Sequence, residues 1–294
     1  MQLNLLFGQS DDDCFMCHED TELKSEINGR SMFINKNVLK NSVHKTVSCA
    51  ACHKDAGAED FPHKVNLNDV NCGSCHKVAK DEFFRGIHGQ ALAMNEAYAP
   101  TCKECHGEHT ILPPSNPKSL TYKMNIPVLC GKCHKEGAPV ARTYNISEHN
   151  ILDNYSQSIH GRGLFKGGLI VTATCNDCHG NHLVLPHTSP NSTIAVNNIA
   201  KTCMKCHARI EDVHTKVIKG ELWETEPGAI PACTDCHPPH KINVKNVKST
   251  MSDNACLKCH SRDDLHKVVD GETISLKVNK ADLDKYEHKN IACV

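Results

Sequence analysis

The chain has little of what marks an ordinary globular or membrane protein. Phenylalanine, tryptophan and tyrosine make up only 4% of its 294 residues. The 33 lysines and arginines nearly balance the 34 aspartates and glutamates, so no basic excess points to nucleic acid as a partner. No apolar run approaches the roughly 20 residues of a membrane-spanning helix, and no transmembrane segment is predicted in this stretch.

Cysteine and histidine, in contrast, are abundant, with 19 and 21 residues. Eighteen cysteines form nine C-x-x-C pairs, each followed at once by histidine, and chance gives this with a likelihood well under ~10⁻⁹. The paired cysteines are Cys14, Cys17, Cys49, Cys52, Cys72, Cys75, Cys102, Cys105, Cys130, Cys133, Cys175, Cys178, Cys203, Cys206, Cys233, Cys236, Cys256 and Cys259. The motif histidines are His18, His53, His76, His106, His134, His179, His207, His237 and His260.

The C-x-x-C-H unit suits covalent haem. Its two thiols add to the two vinyl groups of one porphyrin, and the adjacent imidazole becomes the proximal iron ligand. Structural zinc needs four ligands per metal and does not require histidine directly after the second cysteine. A disulfide framework leaves the histidines unexplained, and a thioredoxin-like pair would occur once. We therefore predict nine covalent c-type haems.

The nine motifs resemble those of the multihaem cytochromes c, specifically the larger relatives of the low-potential class III cytochromes, whose haems have two histidine ligands. The resemblance covers nearly the whole chain from Cys14 onward. It implies a second, distal histidine at each iron. The seven methionines recur at no fixed offset from the motifs, so His/Met ligation, which raises the haem potential, is not favoured.

Twelve histidines outside the motifs are candidates for the distal position. We predict nine of them as ligands: His44, His63, His88, His109, His160, His182, His214, His240 and His266. His149 is an alternative to His266. His187, in a loop rich in proline, serine and threonine, is predicted to be solvated.

An internal repeat supports six of these nine. The segment that begins at Ile87 aligns with the segment that begins at Ile159, so a two-haem module is duplicated. A weaker third copy begins at His214. The copies align His88 with His160 in an I-H-G context, and His109 with His182 and His240 three residues past a motif histidine.

The predicted fold is haem-cored and mostly irregular, with short α-helices and almost no β-sheet. Nine motifs in 294 residues leave about 33 residues per haem, so the porphyrins must supply much of the apolar interior. We predict helices over Lys80–Tyr98 and Asn197–Lys219, and loops over Leu112–Pro117 and Pro227–Pro231. The predicted segments are a signal remnant at 1–10, a three-haem segment at 11–80, two-haem modules at 81–150 and 151–222, and a two-haem segment at 223–294.

Both ends of the sequence resemble pieces of longer features. Met1–Ser10 has a short apolar run and is predicted to be the remnant of a secretory signal. His288 and Cys293 repeat the relation of His44 to Cys49, so we expect a tenth C-x-x-C-H to continue past the last residue. The alternative is that Cys293 is an isolated free thiol.

The resemblance implies an exported electron carrier rather than an enzyme, located in the periplasm or outside the cell. Expected partners are a quinol-oxidising membrane complex, other cytochromes and a terminal reductase or extracellular acceptor. Haem propionates would bring the net charge to about −10, which disfavours nucleic acid. Two alternatives stay open: an oxidoreductase of the nitrite-reducing or hydroxylamine-oxidising type with one open haem, and a subunit of an extracellular cytochrome filament with His44 or His288 as a cross-subunit ligand.

Overall fold

The computed structural model describes residues 10–56, 62–144, 148, 150–208, 233–242, 257, 260–269 and 271–283. Within these residues the longest helix has nine residues and the strands form one hairpin. The predicted fold class, mostly irregular with short helices and almost no sheet, is therefore confirmed. None of the helices in the described parts of the chain combines the length and the apolar character needed to cross a bilayer.

The chain divides into two compact units, Met1–Leu129 and Cys130–Val294. This division falls inside the predicted segment 81–150, and the segment boundaries stay a prediction. In chain order the elements are α1 (Asp11–His18), α2 (Lys36–Asn41), α3 (Cys49–Cys52), a 3₁₀ turn (Cys72–Ser74), α4 (Lys77–Arg85), α5 (Ile87–Ala93), α6 (Cys102–His106), α7 (Ile126–Gly131), α8 (Pro139–Thr143), α9 (Ile151–Gln157), α10 (Ile159–Phe165), α11 (Cys175–His179), α12 (Ile199–Met204), α13 (Cys233–Cys236), β1 (His266–Val269), β2 (Glu272–Ser275) and α14 (Lys280–Leu283).

The strands pair antiparallel, with His266 opposite Ser275 and Val269 opposite Glu272. Gly271 lies in the turn between them with a φ of 86°, a left-handed conformation that glycine adopts without a steric penalty. Directly beyond β2, Val278 N donates to His260 O at 2.5 Å. The hairpin thus holds the chain that follows it against the last motif histidine.

The predicted helix over Lys80–Tyr98 is wrong, because the structure has two helices there. Gly86 separates α4 from α5 and is extended, with φ of −80° and ψ of 165°. The described part of the second predicted helix, Asn197–Lys219, contains α12, and its residues from 209 onward lie outside the described residues. The predicted loop Leu112–Pro117 is confirmed as irregular, and the loop Pro227–Pro231 lies outside the described residues.

The I-H-G sequence marks the place where two short helices meet. A Cβ on Gly161 would overlap the carbonyl oxygen of Tyr155 at the end of α9, and a Cβ on Gly89 would overlap that of Phe83 in the first copy. Buried Ser158 joins the second pair of helices, since its Oγ donates to Tyr155 O at 2.6 Å and accepts from Gly161 N at 3.0 Å. Glycine is therefore required beside His88 and His160 because the preceding backbone comes too close for a side chain.

We expect Gly161→Ala to destabilise the protein by about 1–3 kcal/mol, the usual cost of forcing extra volume into a packed region. Gly163→Ala, in the same helix, is the control, because its Cβ would meet Thr172 Oγ1 at an ordinary 3.5 Å. Guanidinium unfolding of both holoprotein variants measures the difference. Equal free energies of unfolding for the two variants would contradict the close approach at Gly161.

In the second unit, a few buried side chains hold α9 and α10 against the chain that leads to α11. Leu164 is fully buried, and Tyr155 is 8% exposed. The Tyr155 hydroxyl donates to Ala173 O at 2.9 Å, and Thr172 Oγ1 donates to His160 O at 3.3 Å. These contacts place His160 beside the start of a motif helix.

In the first unit, hydrogen bonds connect the chain before His44 to the chain after His109. Val43 N and Ser42 Oγ both donate to Ile111 O, at 2.8 and 3.2 Å. Ser42 is buried, so these bonds are shielded from water and hold the two histidine-bearing segments together.

The duplication is visible in the loops that follow the first motif of each copy. Asn125 Nδ2 donates to Pro117 O at 3.0 Å and to Ser119 O at 2.7 Å. One asparagine amide therefore closes the loop that leads into α7. In the second copy, Asn198 Nδ2 makes the same two bonds to Pro190 O and Ser192 O, both at 2.8 Å.

Candidate haem-binding sites

The C-x-x-C-H motifs of the two best-matched copies fold as short capped helices. Asp177, the third residue of α11, accepts hydrogen bonds from Thr174 N at 2.7 Å and from Thr174 Oγ1 at 2.8 Å. Gly180 ends the helix with a φ of 83°. In the first copy, Glu104 accepts the hydrogen bonds of the N-cap residue Thr101, and Gly107 ends the helix. Capping stabilises these five-residue helices, in which the first cysteine lies one turn before the second cysteine and the histidine.

Five motif histidines lie opposite a histidine from outside the motifs, with ring centres 5.9–6.1 Å apart. In every case the two residues come from separate parts of the sequence. The pairs are His18 with His63, His76 with His44, His53 with His109, His207 with His160, and His179 with His240.

This separation fits one iron between two imidazoles. A metal–imidazole bond of about 2.05 Å plus about 1.1 Å from nitrogen to ring centre, counted on both sides, puts the ring centres about 6.3 Å apart. The observed values lie within about 0.4 Å of it. Among the described residues, no group of three or more His, Cys, Asp or Glu side chains is placed to hold a metal ion.

Four of the paired histidines have the protonation state that metal ligation needs. Burial lowers the pKa of His53, His109 and His160. Burial also lowers the pKa of His179, to about 4, with smaller contributions from His240 and His134. These imidazoles are therefore neutral at neutral pH and have a lone pair to donate.

Several histidines have their orientation set by a hydrogen bond at Nδ1. A carbonyl oxygen can only accept, so Nδ1 carries the hydrogen and Nε2 is left with the lone pair for a metal. The bonds join His18 to Met32 O at 2.8 Å, His63 to Lys64 O at 2.8 Å, His260 to Leu276 O at 2.7 Å and His266 to Asp264 O at 2.7 Å.

His240 differs from these, because its Nδ1 lies 2.5 Å from Oε2 of the Glu148 carboxylate. Glu148 Oε1 also accepts a hydrogen bond from Asn154 Nδ2 at 2.7 Å. Burial alone would raise the pKa of Glu148, but the hydrogen bonds from His240 and Asn154 and the nearby Lys241 lower it overall. The sequence analysis missed Glu148, which belongs to no motif.

Thiols of successive motifs touch one another. Burial raises the pKa of Cys49 to about 12, with contributions from Asp11 and Cys14, while a hydrogen bond with Cys233 lowers the pKa of Cys203 to about 7. Such contacts bring neighbouring attachment points together. The hydrogen-bonded thiols are Cys14 with Cys49, Cys72 with Cys102, Cys130 with Cys175, and Cys203 with Cys233.

Apolar side chains beside the motifs suit contact with a porphyrin. Met16, inside the first motif, is 77% exposed, and Val78, two residues past the third, is 73% exposed. A flat apolar ring held by the adjacent cysteines would cover such side chains, which is a favourable burial. The thiols, the imidazole pairs and this apolar surface together fit c-type haem.

The remaining predicted ligands have separate outcomes. His88 in α5 and His182 just beyond α11 each interact with other residues. His266 is exposed at the start of β1. The assignment of these three histidines as distal ligands stays a prediction. His187 is exposed. The predictions for His214, Cys256, Cys259, His149, His288 and Cys293 lie outside the described residues, and the side chain of Cys236 is not described.

Comparison with known proteins finds the doubled CXXCH motif in three stretches of the chain. The family of that description matches residues 93–139, 169–212 and 226–265. Among curated proteins and among solved structures, no match is found. Each matched stretch contains two C-x-x-C-H motifs, and this pairing indicates covalent c-type haem. The matches support a multihaem c-type cytochrome involved in electron transfer.

Proposed function

We propose that the chain carries nine covalent c-type haems, each with two histidine ligands, and passes electrons along them. The observation that carries the proposal is the set of five histidine pairs with ring centres 5.9–6.1 Å apart. Each pair joins a motif histidine to a histidine predicted as a distal ligand. We assign each pair to one iron; two histidine ligands per iron are typical of the class III cytochromes that the sequence resembles.

The protein's contribution is to hold and enclose the cofactor. Bound haem iron takes up and releases one electron at a time. The motif cysteines would fix the ring covalently, and at the five described pairs the two imidazoles would both ligate the iron and leave no position for a substrate. Two neutral imidazole ligands, without a methionine, favour a low reduction potential.

The thiol contacts support a continuous path within each unit. In the second unit, motifs five and six meet through Cys130 and Cys175. Motifs six and seven meet where Cys178, whose pKa burial raises to about 11, lies near Cys203. Rings attached at touching cysteines must lie side by side. Within each unit, the path therefore follows the order of the described motifs.

We further propose that the protein is exported, because covalent haem attachment takes place outside the cytoplasmic membrane. Its partners would be redox proteins: a quinol-oxidising membrane complex or another cytochrome as donor, and a terminal reductase or extracellular acceptor. The five described histidine pairs favour an electron carrier, because paired ligands would give a substrate no access to the iron at those five haems.

The haem count tests the proposal directly. The intact mass of the purified holoprotein is expected to exceed the polypeptide mass by nine haems, and a pyridine haemochrome assay should give the same number. Fewer than nine haems in fully matured protein would contradict the assignment of one haem to every C-x-x-C-H motif. A haem-free protein with bound zinc would overturn the proposal.

A further inference from the structure

His240 is hydrogen-bonded through Nδ1 to a carboxylate, a stronger acceptor than a backbone carbonyl. The Nδ1–Oε2 distance to Glu148 is 2.5 Å, shorter than the roughly 2.7–2.9 Å usual for a charge-assisted N–H···O hydrogen bond. The contact is partly shielded from water, with side-chain exposures of 24% for His240 and 35% for Glu148. Asn154 holds the other carboxylate oxygen at 2.7 Å, which fixes the carboxylate in place.

The ring centres of His240 and His179 lie 6.1 Å apart, and their planes are nearly parallel, with 3° between them. The hydrogen bond at Nδ1 leaves Nε2 of His240 for a metal between the two rings. In metal sites, a carboxylate behind a ligating histidine orients the ring and makes it a stronger donor. His18, His63 and His260 have backbone carbonyl oxygens in the same position instead.

We propose that Glu148 is a positioning residue that lowers the reduction potential of the haem held between His179 and His240. This inference rests on the proposed function, in which these two histidines ligate one iron. The negative charge of Glu148 pulls the Nδ1 hydrogen of His240 and raises electron density at Nε2. Ferric iron carries one more positive charge than ferrous iron, so the stronger donor stabilises the oxidised state.

Lys241 lies near the same carboxylate and opposes its charge in part. The hydrogen bond acts through direct contact with the ligand, whereas Lys241 acts through space, so the carboxylate has the larger effect on the iron. Haems whose histidines bond backbone carbonyls lack this charge. The haem of His179 and His240 is thus expected to have a lower potential than the haem of His18 and His63, whose Nδ1 atoms bond backbone carbonyls.

The test is Glu148→Gln, which keeps a hydrogen-bond acceptor of the same shape and removes the charge. Outer-shell changes commonly alter metal sites by 10–100-fold, so at fixed potential we expect about a tenfold shift of this haem toward the ferrous state. For one electron this is about 59 mV in the positive direction. Asp153→Asn is the matched control, because Asp153 is an exposed carboxylate next to Asn154 in α9 and should leave the midpoint unchanged.

His240→Ala identifies the signal to follow, since it should remove one low-spin EPR signal from the oxidised holoprotein. If no low-spin signal is lost, the ligand pair itself, and with it the proposed function at this site, is wrong. If the signal is lost but its midpoint in Glu148→Gln stays unchanged or becomes more negative, the role of Glu148 is refuted. A shift of equal size in Asp153→Asn would refute it as well.

Discussion

His63→Ala is expected to convert one low-spin haem into a high-spin haem that binds carbon monoxide. The ring of His63 lies 6.0 Å from that of His18, with 4° between the ring planes. His63 stands in irregular chain before the third motif, so its loss removes little packing and leaves the other haems attached. Removing one of the two histidine ligands leaves that iron five-coordinate. The iron is therefore expected to change from low-spin to high-spin.

The matched control for this substitution is His187→Ala. His187 is also a histidine outside the motifs, but it is exposed in a loop, and its replacement should leave every haem low-spin. EPR of the oxidised protein and a carbon monoxide difference spectrum after reduction measure both variants. Unchanged spectra in His63→Ala would show that His63 is not a ligand.

Loss of one covalent haem is expected to unfold much of the unit that contains it. The double substitution Cys175→Ser and Cys178→Ser removes both attachment points of α11. Burying about 400 Å² of apolar porphyrin surface at about 25 cal/mol per Å² is worth about 10 kcal/mol. That is comparable to the entire stability of a typical domain, about 5–15 kcal/mol, so the unit cannot compensate for the loss.

Asn191→Ser is the control for this experiment, because Asn191 is exposed, lies in the same unit and belongs to no motif. Limited proteolysis and far-ultraviolet circular dichroism should show a large loss of protected structure in the double variant and none in the control. A double variant that keeps eight haems and unfolds at the denaturant concentration of the parent would contradict a haem-supported core.

The motif residues could be predicted from sequence because covalent attachment is a local requirement. Two cysteines and a histidine must be adjacent in the chain to reach one ring, and nine repetitions remove the ambiguity. The fold class followed from the same fact, since so many haems in 294 residues leave little chain for regular structure. The I-H-G repeat pointed to His160 before its partner was known.

The helix boundaries and ligand partners could not be predicted in the same way. The helical pattern runs on through Gly86, and the break reflects the tertiary approach of α5 to Phe83. Partners such as His53 and His109 meet only when distant segments fold together, and nothing local encodes this. The capping threonines, Thr101 and Thr174, were readable in the T-C-x-[DE]-C-H-G pattern, whereas Glu148 had no motif to mark it.

The most direct test of the central claim is low-temperature EPR of the fully oxidised protein combined with carbon monoxide binding after reduction. We expect low-spin signals alone and no carbon monoxide complex. We also expect more than one class of low-spin signal, because the ring planes are nearly parallel in the pair His179–His240, at 3°, and crossed in the pair His44–His76, at 65°. A stoichiometric high-spin haem that binds carbon monoxide would contradict the account and favour an enzyme with an open iron.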